Sequence, residues 1–335
     1  MAINVGVVGL GQMGTWHAKH SIEQPGYKLH SIFDAVPARR RFAEQNFDCA
    51  VHPSLDRFLD DPKLDLVVMA TPSNAHVKPT IAALRAGKHC LVEKPMCTNA
   101  RDAARMFAAA RQARRSLVVF QNRRYDDYFL TTKKVVDSGR LGKLFDIRFV
   151  AWHYTRLMLT FGIKDFRPAW RSEAAYGGGA LLDFGAHYFD QLLLLCPQPI
   201  VDVYADMQAR RWTRDADDQF LAVVRFAGGV VAHVECSQNA MAPFGSNWTI
   251  NGADAGYQFA DGVGTVYRRT AGDKQRTTTV PVVPSAWPKF YRLLRAHLTR
   301  NAPPPVAPQD SLKLMKLLDA VRRSAATGRV VRFKK

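Results

Sequence analysis

The stretch from Ile3 to Asp34 constrains the fold more than any other. Ile3 to Val8 is a short apolar run rich in β-formers, and it leads straight into Gly9-Leu10-Gly11-Gln12-Met13-Gly14. A helix-compatible segment follows from Thr15. This is GxGxxG between a strand and a helix, the context that gives the motif its meaning. The first glycine makes the turn, the second lets backbone amides reach a pyrophosphate, and the third lets helix and strand pack closely. The helix N-terminus offers N–H groups and its positive dipole end to the phosphates. Gly9, Gly11, Gln12, Met13 and Gly14 are therefore expected beside a dinucleotide. Leu29 to Phe33 reads as the second strand and ends at Asp34. A carboxylate there accepts hydrogen bonds from ribose hydroxyls and repels a 2′-phosphate, which argues for NAD. Arg39, Arg40 and Arg41 pull the other way. A guanidinium could meet the 2′-phosphate of NADP or stack on adenine, or the three could form an exposed helix face. The expectation is NAD, with NADP possible.

Further strand–helix units follow. Leu66 to Ala70 is a buried-type strand ending in Thr71-Pro72-Ser73-Asn74 and then His76. Pro79 to Ala86 reads as helix, His89 to Val92 as strand ending at Glu93-Lys94-Pro95, Arg101 to Arg114 as an Ala-rich helix, and Leu117 to Phe120 as strand. Such alternation implies a doubly wound parallel sheet with ligand loops at the strand C-terminal ends. Thr71, Pro72, Ser73, Asn74, His76, Glu93, Lys94 and the stretch Gln121 to Arg124 sit at such ends, placed to line the nicotinamide half of the cofactor. For His76 a helix cap is the simpler reading.

After Asn122 the character changes. A helix over Thr131 to Ser138 and a strand over Leu144 to His153 precede an irregular aromatic and basic tract, Arg156 to Arg171. Then comes GGGALLDFGAHYFD, residues 177–190. Three glycines favour close backbone approach over helix, and the helical pattern resumes from Ala180. Asp183 and His187, four apart, share one face of an otherwise apolar helix. A carboxylate and an imidazole in such surroundings need partners, so they are either a polar core contact or a catalytic pair. Strand-like segments without intervening helices run from 200 to 269, arguing for an antiparallel sheet. A helix over Tyr291 to Thr299, a proline-rich connection and a closing helix over Ser311 to Ala325 complete the chain.

With 335 residues, two domains are expected. No run approaches the roughly 20 apolar residues of a membrane span, and the N-terminus reads as strand and turn rather than signal peptide. Five scattered cysteines without CxxC suggest reduced thiols in a cytoplasm, with no metal site expected. The formal charge of +18 raises nucleic-acid binding as a question. But the basic clusters at Arg39–Arg41, Arg114–Arg115, Arg123–Arg124, Arg322–Arg323 and Lys334–Lys335 are dispersed and match no such module. A solvated basic surface that attracts anionic cofactors fits better.

With these pieces placed, the chain resembles the glucose–fructose oxidoreductase / inositol dehydrogenase / MocA family along essentially its whole length. The resemblance rests on GLGQMG (9–14), ATPSNAH (70–76), AGKHCLVEKP (86–95), FQNRR (120–124), WR (170–171), GGGALLDFGAHYFD (177–190) and PVAPQDSLKLMKLLDAV (305–321). It implies α/β + α+β architecture: a Rossmann domain, 1–122, and a C-terminal domain, 123–335, on a large open, mainly antiparallel sheet. The closing helix, 311–325, would pack back toward the first domain. The Lys94–Pro95 bond is often cis in relatives, which often form homodimers or homotetramers. The implied activity moves a hydride between NAD(P) and a hydroxyl-bearing carbon of a sugar, inositol or sugar derivative. Lys94, Asp183 and His187 would be its catalytic group, Lys94 meeting the reacting hydroxyl and either Lys94 or His187 taking its proton. Trp170 and Arg171 match a pair that in some relatives touches the cofactor. Arg123, Tyr154, Lys94, Asp183 and His187 would meet the substrate. Trp152, Tyr154, Trp170 and Tyr176 could stack on a sugar or pack in the core. An alternative within the family is redox-assisted glycoside cleavage, with tightly held NAD and no net cofactor turnover. No nucleic acid or membrane partner is expected.

Overall fold

The structure is a computed structural model that describes residues 2–167, 169–213, 215–244, 247–269 and 272–333. The Lys334–Lys335 pair lies outside the described residues. The chain divides into two compact units. The first is Met1–Gln121 with Leu157–Gly178 and Pro288–Met315, and the second is Asn122–Arg156 with Gly179–Trp287 and Lys316–Lys335.

In the first unit, six strands form one sheet: β1 (Ile3–Val8), β2 (Tyr27–Phe33), β3 (Ala50–Val51), β4 (Leu66–Met69), β5 (His89–Val92) and β6 (Leu117–Val119). Their order is β3-β2-β1-β4-β5-β6, and every neighbouring pair is parallel. The connections are α1 (Gln12–Glu23), α2 (Pro37–Asn46), α3 (Leu55–Leu59), α4 (Val77–Arg85) and α5 (Ala100–Ala113). All four residues of β4 are buried, as a strand covered on both faces requires. The order reverses between β1 and β4, and ligands of doubly wound sheets bind outside the strand C-terminal ends at that reversal. The unit also holds α7 (Leu157–Thr160) and α9 (Pro288–Arg300). Phe290, Tyr291 and Leu294 of α9 are buried, Tyr291 among Trp16, His17, Tyr27 and Phe120.

The second unit is built on a ten-stranded sheet. Its strands are β7 (Leu144–Tyr154), β8 (Ile200–Gln208), β9 (Gln219–Phe226), β10 (Val231–Ser237), β11 (Asn239–Phe244), β12 (Trp248–Gly252), β13 (Gly256–Ala260), β14 (Val263–Arg269), β15 (Gln275–Val280) and β16 (Val331–Arg332). The order is β15-β14-β13-β12-β7-β10-β9-β8-β16, with β11 also on β7. Only the β7–β10 pair is parallel among the described strands. In β9 and β10 buried residues alternate with half-exposed ones, so one face of the sheet carries a core and the other stays open. Helices α6 (Asp127–Asp137) and α8 (Ala186–Leu195) supply that core, with Tyr188 against Phe149 and Phe189 against Phe220. Helix α10 (Pro308–Thr327) is shared, its first part in one unit and its second in the other. It starts earlier than the sequence suggests, because a proline is well tolerated in a helix's first turn.

Four strands escape the sequence reading. β3 and β16 have two residues each and exist through pairing alone. In β15, Gln275 to Thr279 are all exposed, so no alternation marks them. β11 leaves register with β7 partway. No helix among the described residues is long and apolar enough to cross a membrane.

Candidate active site

The crevice of the first unit begins at the β1–α1 turn. Gly9 has a left-handed φ of +89°, which only glycine adopts without strain. A Cβ on Gly14 would run into the Gly9 carbonyl, so the helix can approach the strand only with glycine there. At Gly11 a Cβ would meet nothing within 4 Å, which leaves that side open for a phosphate. Gly11 is also the N-cap of α1 and provides no side-chain cap, so the first amides of the helix are left for an anion.

Asp34 follows β2 directly and is buried. Its carboxylate accepts the Leu10 N–H at 2.6 Å and the Val36 N–H at 2.8 Å, leaving further lone pairs for ribose hydroxyls. Arg39 departs from the exposed-face expectation. It is 7% exposed, donates through Nε and Nη2 to the Leu10 carbonyl at 2.9 and 2.5 Å, and lies 4.2 Å from the Phe42 ring. A carbonyl and an aromatic face draw the planar guanidinium inward. Arg40 donates to the Asp34 carbonyl at 2.7 Å, and of the three only Arg41 is exposed.

A second layer lies against this turn. Gln12 donates to the Gly162 carbonyl at 3.0 Å, and Arg39 Nη1 is 3.5 Å from Asp165. Arg171 lies over the rings of Trp170 and Phe161 and donates to the Phe161 carbonyl. At the other end Asn74 donates to the Ala175 carbonyl at 2.9 Å, and Gly177 packs beside Thr98 and Ser73. Segment 157–178 is thus a strap, tied at the β1 turn and at the loop after β4. Met13 and Pro72 are half-buried and Ser73 is buried along the same edge.

Lys94 follows β5, half-buried, and the Lys94–Pro95 bond is cis. Glu93 turns inward: one carboxylate oxygen is 2.8 Å from His17 Nε2 and the other accepts the Lys94 N–H at 3.1 Å. His76 is buried, and its ring does not cap α4. Nε2 faces the Thr71 carbonyl at 2.7 Å and Nδ1 the Pro95 carbonyl at 3.1 Å, because the two loops close over the ring. Burial holds its pKa below the usual histidine range. The Thr71 hydroxyl and the Gln121 amide oxygen are buried and find no hydrogen-bond partner among the described residues. Two such orphans at the ends of β4 and β6, the open Gly11 face and the uncapped amides together fit a dinucleotide.

In the second unit, Leu181–Gly185 forms a π-turn that runs into α8. Asp183 is half-buried at this turn and His187 is buried in the first turn of α8. Such π-turns recur at functional sites. Asp217 ties down the start of this helix: its carboxylate accepts the Leu181 N–H at 2.7 Å and its carbonyl the Ala180 N–H at 2.7 Å. Burial, with the Asp218 charge beside it, pushes its pKa up to about 7. Asp218 faces the other way and accepts the N–H groups of Arg210, Arg211 and Trp212 at 2.8 to 2.9 Å. Trp212 stands edge-on to Tyr154 at 5.5 Å, with Arg156 and Arg211 over these rings at 5.1 to 5.4 Å. Arg123 reaches Asp126 at 3.4 Å, and its carbonyl accepts from Gln191 of α8. Arg124 grips buried Asp190 through two bonds of 2.7 and 2.6 Å. Asp217, His17 and the strap carried no motif signal; only the Asp217-Asp218 pair before an alternating strand could have drawn notice.

A crevice of this build belongs to an NAD(P)-dependent oxidoreductase, and the comparisons agree. Residues 3–121 match the model of the oxidoreductase family with an NAD-binding Rossmann fold, and residues 129–258 match the GFO/IDH/MocA C-terminal domain. The chain belongs to the Gfo/Idh/MocA oxidoreductase family. It is similar to scyllo-inositol 2-dehydrogenase (NADP(+)) IolW of Bacillus subtilis, at 26% identity over 98% of this chain and 95% of the relative. It is also similar to myo-inositol 2-dehydrogenase of Thermotoga maritima, at 27% identity over 78% of this chain and 76% of the relative. Among solved structures, an NAD-binding protein from Listeria innocua superposes with a TM-score of 0.88 at 27% identity, covering 99% and 97% of the two chains.

Proposed function

We propose that this enzyme oxidises or reduces a hydroxyl-bearing carbon of a sugar, inositol or sugar derivative, with NAD as the favoured cofactor and NADP as the alternative. The functional division is 1–122 for the cofactor and 123–335 for the substrate, with the strap serving the former. The observation that carries the reading is the open, uncapped glycine turn in a chain that also keeps Lys94 after β5 and Asp183 and His187 on one helix. When bound, the nicotinamide ring accepts or supplies the hydride. Lys94 contacts the reacting oxygen and stabilises its alkoxide character. His187 takes the hydroxyl proton as general base. Asp183 either orients the substrate by accepting a hydroxyl's hydrogen bond or fixes the His187 ring. Thr71, Gln121, Trp170 and Arg171 serve the cofactor, and Arg123 and Tyr154 the substrate.

The Arg156 and Arg211 guanidiniums over the Trp212 and Tyr154 rings favour a substrate that has an acidic group. The strap over the β1 turn favours a second reading, glycoside cleavage through transient oxidation with retained NAD. We also infer a cytoplasmic homodimer or homotetramer, supported by the open sheet face; light scattering tests the assembly.

The test is absorbance at about 340 nm with inositols, neutral aldoses, uronates and glycosides, with NAD⁺ and NADP⁺ in parallel. The expected outcome is reduced cofactor with one class, uronates foremost, and a loss of about 100-fold or more in Lys94→Ala and His187→Ala. No signal in any arm, with NAD retained by the purified protein, would replace this reading with the internal redox cycle.

A further inference from the structure

Three buried polar side chains behind Lys94 have no part in that chemistry. His17 is fully buried on α1, Tyr291 is 2% exposed on α9, and Glu93 is 6% exposed at the end of β5. His17 Nε2 lies 2.8 Å from Glu93 Oε1, and its Nδ1 lies 2.5 Å from the Tyr291 hydroxyl. A carboxylate only accepts, so Nε2 carries the ring proton. Nδ1 then accepts from Tyr291, whose pKa burial holds well above the usual range, so the hydroxyl keeps its proton. The second Glu93 oxygen receives the Lys94 N–H at 3.1 Å. The Tyr291 carbonyl in turn accepts the Tyr27 hydroxyl at 2.8 Å.

Apolar side chains of the same volume would pack there without desolvating three polar groups. What the polar chain adds is direction. It starts on α9, passes through α1, whose first amides have no side-chain cap, and ends on the peptide nitrogen of Lys94. We propose that Tyr291, His17 and Glu93 are positioning residues that register Lys94 against the cofactor-binding helix. The proposal rests on the reading of Lys94 as the group that meets the reacting hydroxyl.

The test uses the full-length enzyme with Glu93→Ala, Glu93→Gln, Tyr291→Phe and Lys94→Ala. Thermal midpoint and NADH affinity by fluorescence report fold and cofactor binding. Acetylation of the Lys94 amine by acetic anhydride, followed by peptide mass spectrometry, reports its placement without any substrate. In Glu93→Ala the acetylation rate should shift about threefold or more, and kcat should fall about 10- to 100-fold, while KM and NADH affinity stay within about threefold. Glu93→Gln keeps an oxygen for the Lys94 N–H and turns its NH2 to His17, whose ring proton then sits on Nδ1 and is donated to the Tyr291 hydroxyl, so it should recover most of both. If Glu93→Ala does not fold, Tyr291→Phe gives the same comparison with a single hydroxyl removed. A folded variant with wild-type acetylation and kcat overturns the proposal, as does a parallel loss of kcat and NADH affinity that Gln does not rescue. An active Lys94→Ala would refute the role of Lys94 instead, and acetylation alone would then decide whether the lysine is held by this chain.

Discussion

Asp217 shows how one side chain can fix the start of a helix from far along the chain. Its side chain accepts the Leu181 N–H at the start of the turn and helix that carry Asp183 and His187. Because burial raises its pKa to about 7, the folded state binds this proton more tightly than the unfolded chain. Stability from this group is therefore full at low pH and declines as pH rises from about 4 through about 7, where the carboxyl ionises in the fold. Urea midpoints of wild type and Asp217→Asn across that range check it; the variant should lose this part of the slope. Gly14 fails for a different reason, steric contact. Gly14→Ala should lower NADH affinity about 10- to 100-fold, read by fluorescence titration, since the new methyl must displace the Gly9 carbonyl. Residues of the second kind were legible in the sequence, because a motif spacing records a steric need. Asp217, His17 and Tyr291 were not, because their partners lie tens to hundreds of positions away and leave no local pattern.

Among elements, the strap is the one that pattern reading leaves without form. The tract Arg156 to Arg171 reads as irregular, and segment 157–178 belongs to the first unit. Its anchors are a side chain on a backbone carbonyl, Gln12 to Gly162, and a long ion pair, Arg39 to Asp165, neither of which has a periodic signature. Removing the half-exposed partner with Asp165→Ala should speed NADH release about two- to fivefold in stopped-flow fluorescence, the range expected for one partly solvated ion pair. Regular elements were legible to within a few residues wherever burial imposed a period, as in α5, β9 and β10. The helix after the three glycines was foreseen, but its π-turn was not. A π-turn widens the helix by one residue without altering the sequence spacing of Asp183 and His187, so the pattern reads alike in both forms.

For the whole molecule, the +18 charge is a property that no single contact explains. Spread over the surface, it should draw a dinucleotide and an acidic substrate from a distance. The NADH association rate should then fall severalfold between about 20 and about 200 mM salt, with release much less affected. The architecture itself was legible, since strand–helix alternation followed by strands alone leaves few alternatives. The path of the chain between its parts was less so. Three pieces of one unit alternate with three of the other, so the polypeptide passes between them five times. A gene fragment ending at residue 122 would encode the nucleotide crevice without the strap and without Tyr291, leaving His17 and Glu93 to face water. Recombination between relatives at that boundary would therefore pair a crevice from one parent with a back wall from the other. Chimaeras that inherit all three pieces from one source should keep their cofactor, whereas a simple head-to-tail exchange should bind it poorly.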